Sequence, residues 1–150
     1  MLKPEITFRQ DKLTLTFTIA DYQYPDEKSI GNEYNYDANW IDGFFVYSDG
    51  IVREEYRDAC LLTSELRELC EEFEKVLTVK ETSYISEFME PHFKFCCIRH
   101  NGSISVAMHF VYDTLNGIWK THKVAETLSL ENAAVVLEKL KELERLFPER

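Results

Sequence analysis

The residues of this chain that could act as nucleophiles or proton carriers are its four cysteines and four histidines. A cysteine hydrolase needs a thiolate beside a histidine base, and a helix N-terminus lowers the pKa of a thiol. Cys60 is the one cysteine in such a position, because it lies just before a predicted helix. The histidines all follow that helix, and no spacing couples one of them to Cys60. A buried, reduced cysteine is therefore the simpler interpretation.

The sequence carries no signature of a metal, cofactor or acid–base site. Zinc needs ligands that converge on one point, and no two cysteines show the Cys-x-x-Cys spacing. The five glycines form none of the known phosphate-binding patterns. Adjacent carboxylates such as Glu54 and Glu55 point to opposite faces of a strand. We predict no catalytic residues, no cofactor-binding residues and no metal ligands.

The elements that would position any site read as strands with two helices. Apolar residues alternate, or recur at helical spacing, and turn residues such as Asn101-Gly102 separate the runs. The strand that follows this turn is apolar on both faces, which predicts a central strand with other elements packed on each side. The prediction is an α+β fold, with one antiparallel sheet of about six to seven strands flanked by two amphipathic helices. Its elements are a hairpin over 4–19, strands over 40–56, a helix with Thr63 as its N-cap, strands over 84–99, 104–112 and 118–128, and a second helix with Ser129 as its N-cap.

Length, composition and charge restrict the class of protein. A chain of 150 residues, 45% of them hydrophobic, suits one folded domain spanning 1–150. It has no apolar run of the roughly 20 residues that a membrane span needs, and it begins without an apolar signal region. We therefore expect a cytoplasmic protein. The net charge of −10 is concentrated in residues 21–49 and 65–90. Such a protein repels nucleic acid and attracts a basic protein partner.

A long segment over 20–36 loses all periodicity and collects tyrosines and carboxylates. Long loops in small domains are often functional, and tyrosine is enriched in binding surfaces. The alternative is an ordinary solvated loop whose tyrosines lie on the core. The candidate partner-binding residues of this tyrosine loop are Tyr22, Tyr24, Asp26, Glu27, Glu33, Tyr34 and Tyr36.

The first predicted helix offers a second candidate surface. Glu65, Glu68 and Glu72 follow one another at i, i+3 and i+7, so they lie in line on the side away from the apolar stripe. We call this the glutamate face. The alternative is a helix surface that is charged only to stay solvated. Between the two candidate surfaces, Asp37 is expected to form an Asx-turn that directs the chain into the strand beginning at Trp40.

Three stretches of the chain also resemble a known family. They are Tyr-Asp-Ala-Asn-Trp at 36–40, Cys-Leu-Leu-Thr-Ser-Glu-Leu at 60–66, and Phe-Met-Glu-Pro-His-Phe-Lys-Phe at 88–95. In order and spacing they are similar to the WapI-type immunity proteins, over about residues 5 to 147. The resemblance implies a small cytoplasmic bacterial protein that binds and blocks a cognate contact-delivered toxin domain, often a nuclease. It also implies stoichiometric inhibition without catalytic residues.

Two other classes of function stay open from the residues alone. One is a small hydrolase or ligand-binding domain that uses Cys60 or the tyrosine loop. The other is a homo-oligomeric scaffold, since nothing in the sequence fixes the oligomeric state.

Overall fold

The computed structural model describes residues 3–27, 33–113 and 117–150. Within these ranges the fold has eight strands and three helices. The strands are β1 Ile6–Gln10, β2 Leu13–Tyr22, β3 Trp40–Ser48, β4 Arg53–Leu62, β5 Ser83–Ile85, β6 Phe93–His100, β7 Ser103–Asp113 and β8 Trp119–Ser129. The helices are α1 Tyr36–Asn39, α2 Thr63–Leu77 and α3 Leu130–Leu146. None of the helices in the described ranges is both long enough and apolar enough to span a membrane.

The strands form two antiparallel sheets, each with its strands in chain order: β1-β2-β3-β4 and β5-β6-β7-β8. The α+β class and the antiparallel pairing are therefore confirmed, while the predicted single sheet is divided in two. The sheets face each other through phenylalanine rings. Phe45 on β3 stacks on Phe110 of β7 at 3.9 Å, and Phe17 on β2 stacks on Phe93 of β6 at 4.9 Å. Such pairs bury large rings between the sheets and join them into one core.

The two long helices match the predicted apolar stripes and pack against each other and against the sheets. Phe73 of α2 contacts Phe95 of β6 edge-to-face, with ring centroids 5.7 Å apart. The hydroxyl of Ser129 accepts a hydrogen bond from the Asn132 amide at 3.1 Å and so caps α3, as predicted. Thr63, which the sequence predicts as the cap of α2, is instead the first residue of that helix.

Gly43 lies where β3 and β4 approach each other closely. The pairing of β3 with β4 shifts between Ile41 and Gly43, which is a β-bulge. A Cβ atom at Gly43 would lie 2.8 Å from Sγ of Cys60 and 2.9 Å from the ring of Phe45. A larger residue there would push apart the strand pair that leads out of α1 and into α2.

The outer face of the second sheet differs from the prediction. Strand β7 is central, between β6 and β8, as expected. However, Ile85 and Ile98 on that outer face are 59% and 43% exposed, so the elements of the described ranges leave it uncovered. Both helices pack on the inner side, because their apolar stripes meet the phenylalanine core instead.

Candidate partner-binding site

Three tyrosines of the predicted loop are exposed in the structure. Tyr24, Tyr34 and Tyr36 expose 47%, 36% and 50% of their surface. The rings of Tyr34 and Tyr36 meet edge-to-face with centroids 4.9 Å apart, and the Tyr34 hydroxyl lies 3.3 Å from the Ser64 hydroxyl. These three tyrosines, with the exposed carboxylates Asp26, Glu27 and Glu33, are called the tyrosine surface below.

Tyr22, the remaining tyrosine of the predicted set, helps to support that surface. Together with Asn39 and Arg150 it is called the frame below. It ends β2 and is half-buried. Its ring contacts Phe147 edge-to-face at 5.4 Å, and its hydroxyl donates to the Pro148 carbonyl at 2.6 Å. Tyr22 therefore joins the start of the loop to the segment that follows α3.

A buried asparagine holds the other end of the loop. Asn39 is fully buried at the end of α1, and its side-chain amide donates to the backbone oxygens of Asn35 and Arg150 at 2.8 and 2.9 Å. Its side-chain oxygen accepts from the Thr63 hydroxyl at 2.7 Å and from the Arg150 amide at 2.8 Å. One side chain thus joins α1, the first residue of α2 and the segment after α3.

The turn chemistry that starts α1 also differs from the prediction. The side-chain oxygen of Asn35 accepts from the Ala38 amide at 3.4 Å and caps the helix. The expected Asx-turn at Asp37 is therefore wrong, because Asp37 lies inside the first turn of α1. A carboxylate there is still favourable, since the N-terminal end of a helix carries partial positive charge.

Arg150 completes the frame. Its guanidinium donates to the carbonyls of Ala38, Pro25 and Tyr24, each at 2.8 Å, and its central carbon lies 3.7 Å from the centre of the Tyr22 ring. Sequence reasoning missed both Asn39 and Arg150. Arg150 lies more than a hundred positions away in the chain from Asn39 and from its other partners, and no periodicity or motif connects them.

The glutamate face differs from the tyrosine surface, because its carboxylates have partners inside the protein. Glu65 accepts from the amides of Leu62 and Met89, at 3.0 and 2.7 Å. Glu68 accepts from the Tyr84 hydroxyl at 3.1 Å, and Glu72 accepts from Lys75 at 3.0 Å. The contacts of Glu65 with Met89 and of Glu68 with Tyr84 fasten α2 to the segment over 78–92.

The pKa shifts follow from these contacts. Burial raises the pKa of Glu65, although its two backbone hydrogen bonds oppose the shift. A hydrogen bond with Glu81 and another from Lys75 lower the pKa of Glu72. Burial, together with the neighbouring Glu68, raises the pKa of the Tyr84 hydroxyl. Glu65 and the Tyr84 hydroxyl thus each lie in partly desolvated surroundings where α2 meets the segment over 78–92.

The cysteines offer no activated thiol. Cys60 is fully buried, and burial raises its pKa well above the ordinary value. Burial likewise raises the pKa of Cys97, to about 12. All four cysteines are free thiols, and three of them are buried, namely Cys60, Cys70 and Cys97. A thiol in such surroundings stays protonated near neutral pH and is a poor nucleophile.

Two histidines link the facing sheets. The Nε2 atom of His122 lies 3.0 Å from the Tyr56 hydroxyl and 3.3 Å from a Glu54 oxygen, and burial lowers the pKa of His122. The Nδ1 atom of His92 lies 3.0 Å from an Asp58 oxygen. The described ranges contain no group of three or more His, Cys, Asp or Glu side chains placed to hold a metal ion.

A comparison with profiles of known families matches residues 6–148 to the family described as "Immunity protein WapI-like". The chain belongs to the WapI-like immunity protein family. Searches among curated proteins and among solved structures found no match. The matched range includes the exposed tyrosines, Asn39 and the whole glutamate face, while Arg150 lies just beyond it.

Membership of the WapI-like family supports a role as an immunity protein, and such a role implies a toxin as partner. The family resemblance noted in the sequence is thereby confirmed. The two candidate surfaces differ in how much of their charge and aromatic area the fold leaves exposed.

Proposed function

We propose that this protein neutralises a cognate toxin domain by forming a one-to-one complex in the bacterial cytoplasm, and that it catalyses no reaction. The observation that carries the proposal is the tyrosine surface. Within the described ranges, the side chains of Asp26, Glu27 and Glu33 make no hydrogen bond or ion pair, and they accompany three exposed tyrosines. Tyrosines anchor protein interfaces because they bury a large ring and keep a hydroxyl that can find a partner.

The charge of the protein favours a basic partner, and a nuclease toxin is the class that fits best. A nuclease must hold phosphates, so its active-site surface is positively charged. A protein with a net charge of −10 attracts such a surface and speeds the encounter. Carboxylates placed against the phosphate-binding groups would then exclude the substrate. The same charge disfavours direct binding to nucleic acid.

The proposed mechanism needs no nucleophile. Cys60, the one cysteine that the sequence placed for catalysis, is fully buried with a raised pKa. The hydrolase alternative therefore gains no support from that residue. The binding mechanism requires only that the complex forms tightly and covers the toxin's working surface.

The proposal is tested by titrating the toxin domain encoded beside this protein with purified immunity protein. We expect toxin activity to fall in proportion to the amount added and to reach zero at one molecule per toxin. Cys60→Ala, checked for folding by circular dichroism, should inhibit equally well. Toxin that stays active in excess immunity protein would contradict the proposal. Inactivation of many toxin molecules by each immunity protein would indicate catalysis instead.

A further inference from the structure

The guanidinium of Arg150 is bound by one aromatic ring and three backbone carbonyls, which together form the binding position called the seat below. The ring is that of Tyr22, at 3.7 Å, and the carbonyls are those of Tyr24, Pro25 and Ala38, each accepting at 2.8 Å. Arginine suits such a seat because its planar fork donates several hydrogen bonds in fixed directions while its face stacks on an aromatic ring. A lysine ammonium has three donors on one atom and cannot reproduce that geometry.

The three carbonyls come from the two ends of the tyrosine loop. Tyr24 and Pro25 follow β2, whereas Ala38 lies in α1, immediately before β3. The Gln23 amide also donates to the Trp40 carbonyl at 2.8 Å, so the ends are already neighbours at the base of the loop. Arg150 adds a second connection between these ends, from the carbonyls of the exposed Tyr24 and of Pro25 to that of Ala38.

We propose that Arg150 is a positioning residue that holds the two ends of the tyrosine loop in the arrangement that binds the toxin. The inference rests on the proposed function. A loop that must be ordered on binding loses affinity, because immobilising it opposes association. Loop ends that are held in place beforehand by three hydrogen bonds and a stacked ring avoid part of that loss.

Because Arg150 is positively charged, the direction in which toxin affinity changes on its removal tests the inference. Removing a positive charge makes the protein more acidic, which by itself should strengthen its attraction to a basic toxin. Loss of positioning should weaken binding instead. A substitution at Arg150 therefore separates the two effects by direction, and a second arginine provides the matched control.

The control is Arg145, which lies on α3 with 61% of its side chain exposed and pairs only with Glu142 within the described ranges. Dissociation constants for the toxin domain would be measured for wild type, Arg150→Ala, Arg150→Lys and Arg145→Ala. We expect Arg150→Ala to bind about tenfold more weakly or worse, and Arg150→Lys to recover only part of the loss. Arg145→Ala should bind as tightly as wild type or slightly more tightly.

Two further readouts distinguish positioning from a general loss of folding. In Arg150→Ala without toxin, the amides over 22–27 and 34–40 should exchange hydrogen faster, while those of β6 and β7 should be unchanged. Ethylguanidinium at millimolar concentration should fill the vacated seat and restore part of the binding. Ethylammonium, which lacks the planar fork, should not. If Arg150→Ala does not fold, Arg150→Lys is compared with Arg145→Ala instead. Weaker toxin binding by Arg150→Lys than by Arg145→Ala supports the inference, and equal binding overturns it.

The outcomes separate the inference from the function on which it rests. Wild-type protein that fails to bind the toxin would overturn both. Tight binding by wild type together with equal binding by Arg150→Ala, or rescue by ethylammonium as good as by ethylguanidinium, would overturn the role of Arg150 alone.

Discussion

The tyrosine surface and the glutamate face are made of similar residues, but their carboxylates differ in whether they have hydrogen-bond partners within the described parts of the protein. Each combines several carboxylates with tyrosine. On the glutamate face, Glu65 accepts two backbone amides and Glu68 accepts the Tyr84 hydroxyl. On the tyrosine surface, Asp26, Glu27 and Glu33 have exposed side chains without a partner in the described ranges.

The difference teaches that acidic composition alone does not identify a binding surface. A carboxylate that accepts internal hydrogen bonds stabilises the fold, and using it for a partner would first require breaking those bonds. An exposed carboxylate on a supported loop can meet a partner without that loss. We therefore expect changes on the tyrosine surface to alter toxin binding and changes on the glutamate face to alter stability.

The contrast depends on the frame that supports the tyrosine surface. Removing Asn39, the fully buried member of the frame, should disrupt that support. Asn39→Ala deletes four hydrogen bonds and leaves buried partners such as the Thr63 hydroxyl unsatisfied. We expect a loss of about 3 kcal/mol in the free energy of unfolding. The melting temperature, measured by circular dichroism, should fall by roughly 6–12 °C. Asn132→Ala, at an exposed position on α3, is the control and should shift it by little. A change below about 1 kcal/mol for Asn39→Ala would show that this frame is not needed.

The exposed tyrosines should provide the largest effect on binding itself. Replacing Tyr34 and Tyr36 together by alanine removes the edge-to-face pair while leaving the core intact. We expect at least about 2 kcal/mol of lost binding energy, or roughly 30-fold in the dissociation constant. Isothermal titration calorimetry with the toxin domain would measure it. Tyr84→Phe, which removes a hydroxyl from the glutamate face, should bind like wild type. A double variant that bound normally, beside a Tyr84→Phe that did not, would reverse the roles of the two surfaces.

The carboxylates of the tyrosine surface should act mainly on the association rate. Neutralising Asp26, Glu27 and Glu33 to the corresponding amides weakens the long-range attraction to a basic toxin. We expect the association rate constant to drop by about tenfold at low salt. The difference should shrink as added salt screens the charges. Glu65→Gln, Glu68→Gln and Glu72→Gln combined are the matched neutralisation of three carboxylates on the other surface and should have a smaller effect. Equal effects from both variants would mean that net charge matters and position does not.

Substitution of Glu65 should lower the stability of the protein and leave toxin binding unchanged. Glu65→Gln keeps the shape of the side chain but leaves one strong acceptor where two amides are now bound. We expect a loss of about 1 kcal/mol in the free energy of unfolding. The melting temperature should fall by about 2–4 °C. Toxin binding by calorimetry should stay within error of wild type. A Glu65→Gln protein of normal stability that lost its partner would place the glutamate face in the interface.

How much the sequence could predict depended on the distance between the residues involved. The hairpin turn at Asn101-Gly102 and the cap at Ser129 are local, so turn and capping preferences identified them. The division into two sheets was not predictable, because alternation marks a buried face without showing what packs on it. Phe45 and Phe110, for example, meet only across the core.

The same limit applies to the candidate site. Tyr24, Tyr34 and Tyr36 could be chosen from composition and loop length, and the structure leaves all three exposed. Arg150 could not, because its partners depend on the path of the whole chain. Glu65 lies outside the apolar stripe of α2, so the sequence predicts an exposed side chain available to a partner or to solvent, but its carboxylate accepts a hydrogen bond from the Met89 amide instead.

Hydroxyl-radical footprinting of the immunity protein with and without the toxin domain tests the central claim most directly, because tyrosine, methionine and tryptophan all report on solvent access. We predict that Tyr24, Tyr34 and Tyr36 become protected in the complex. Met89, which is exposed beside Glu65, and Trp119, which is exposed at the start of β8, should keep the same reactivity. Protection of Met89 with unchanged reactivity at the three tyrosines would contradict the assignment of toxin binding to the tyrosine surface.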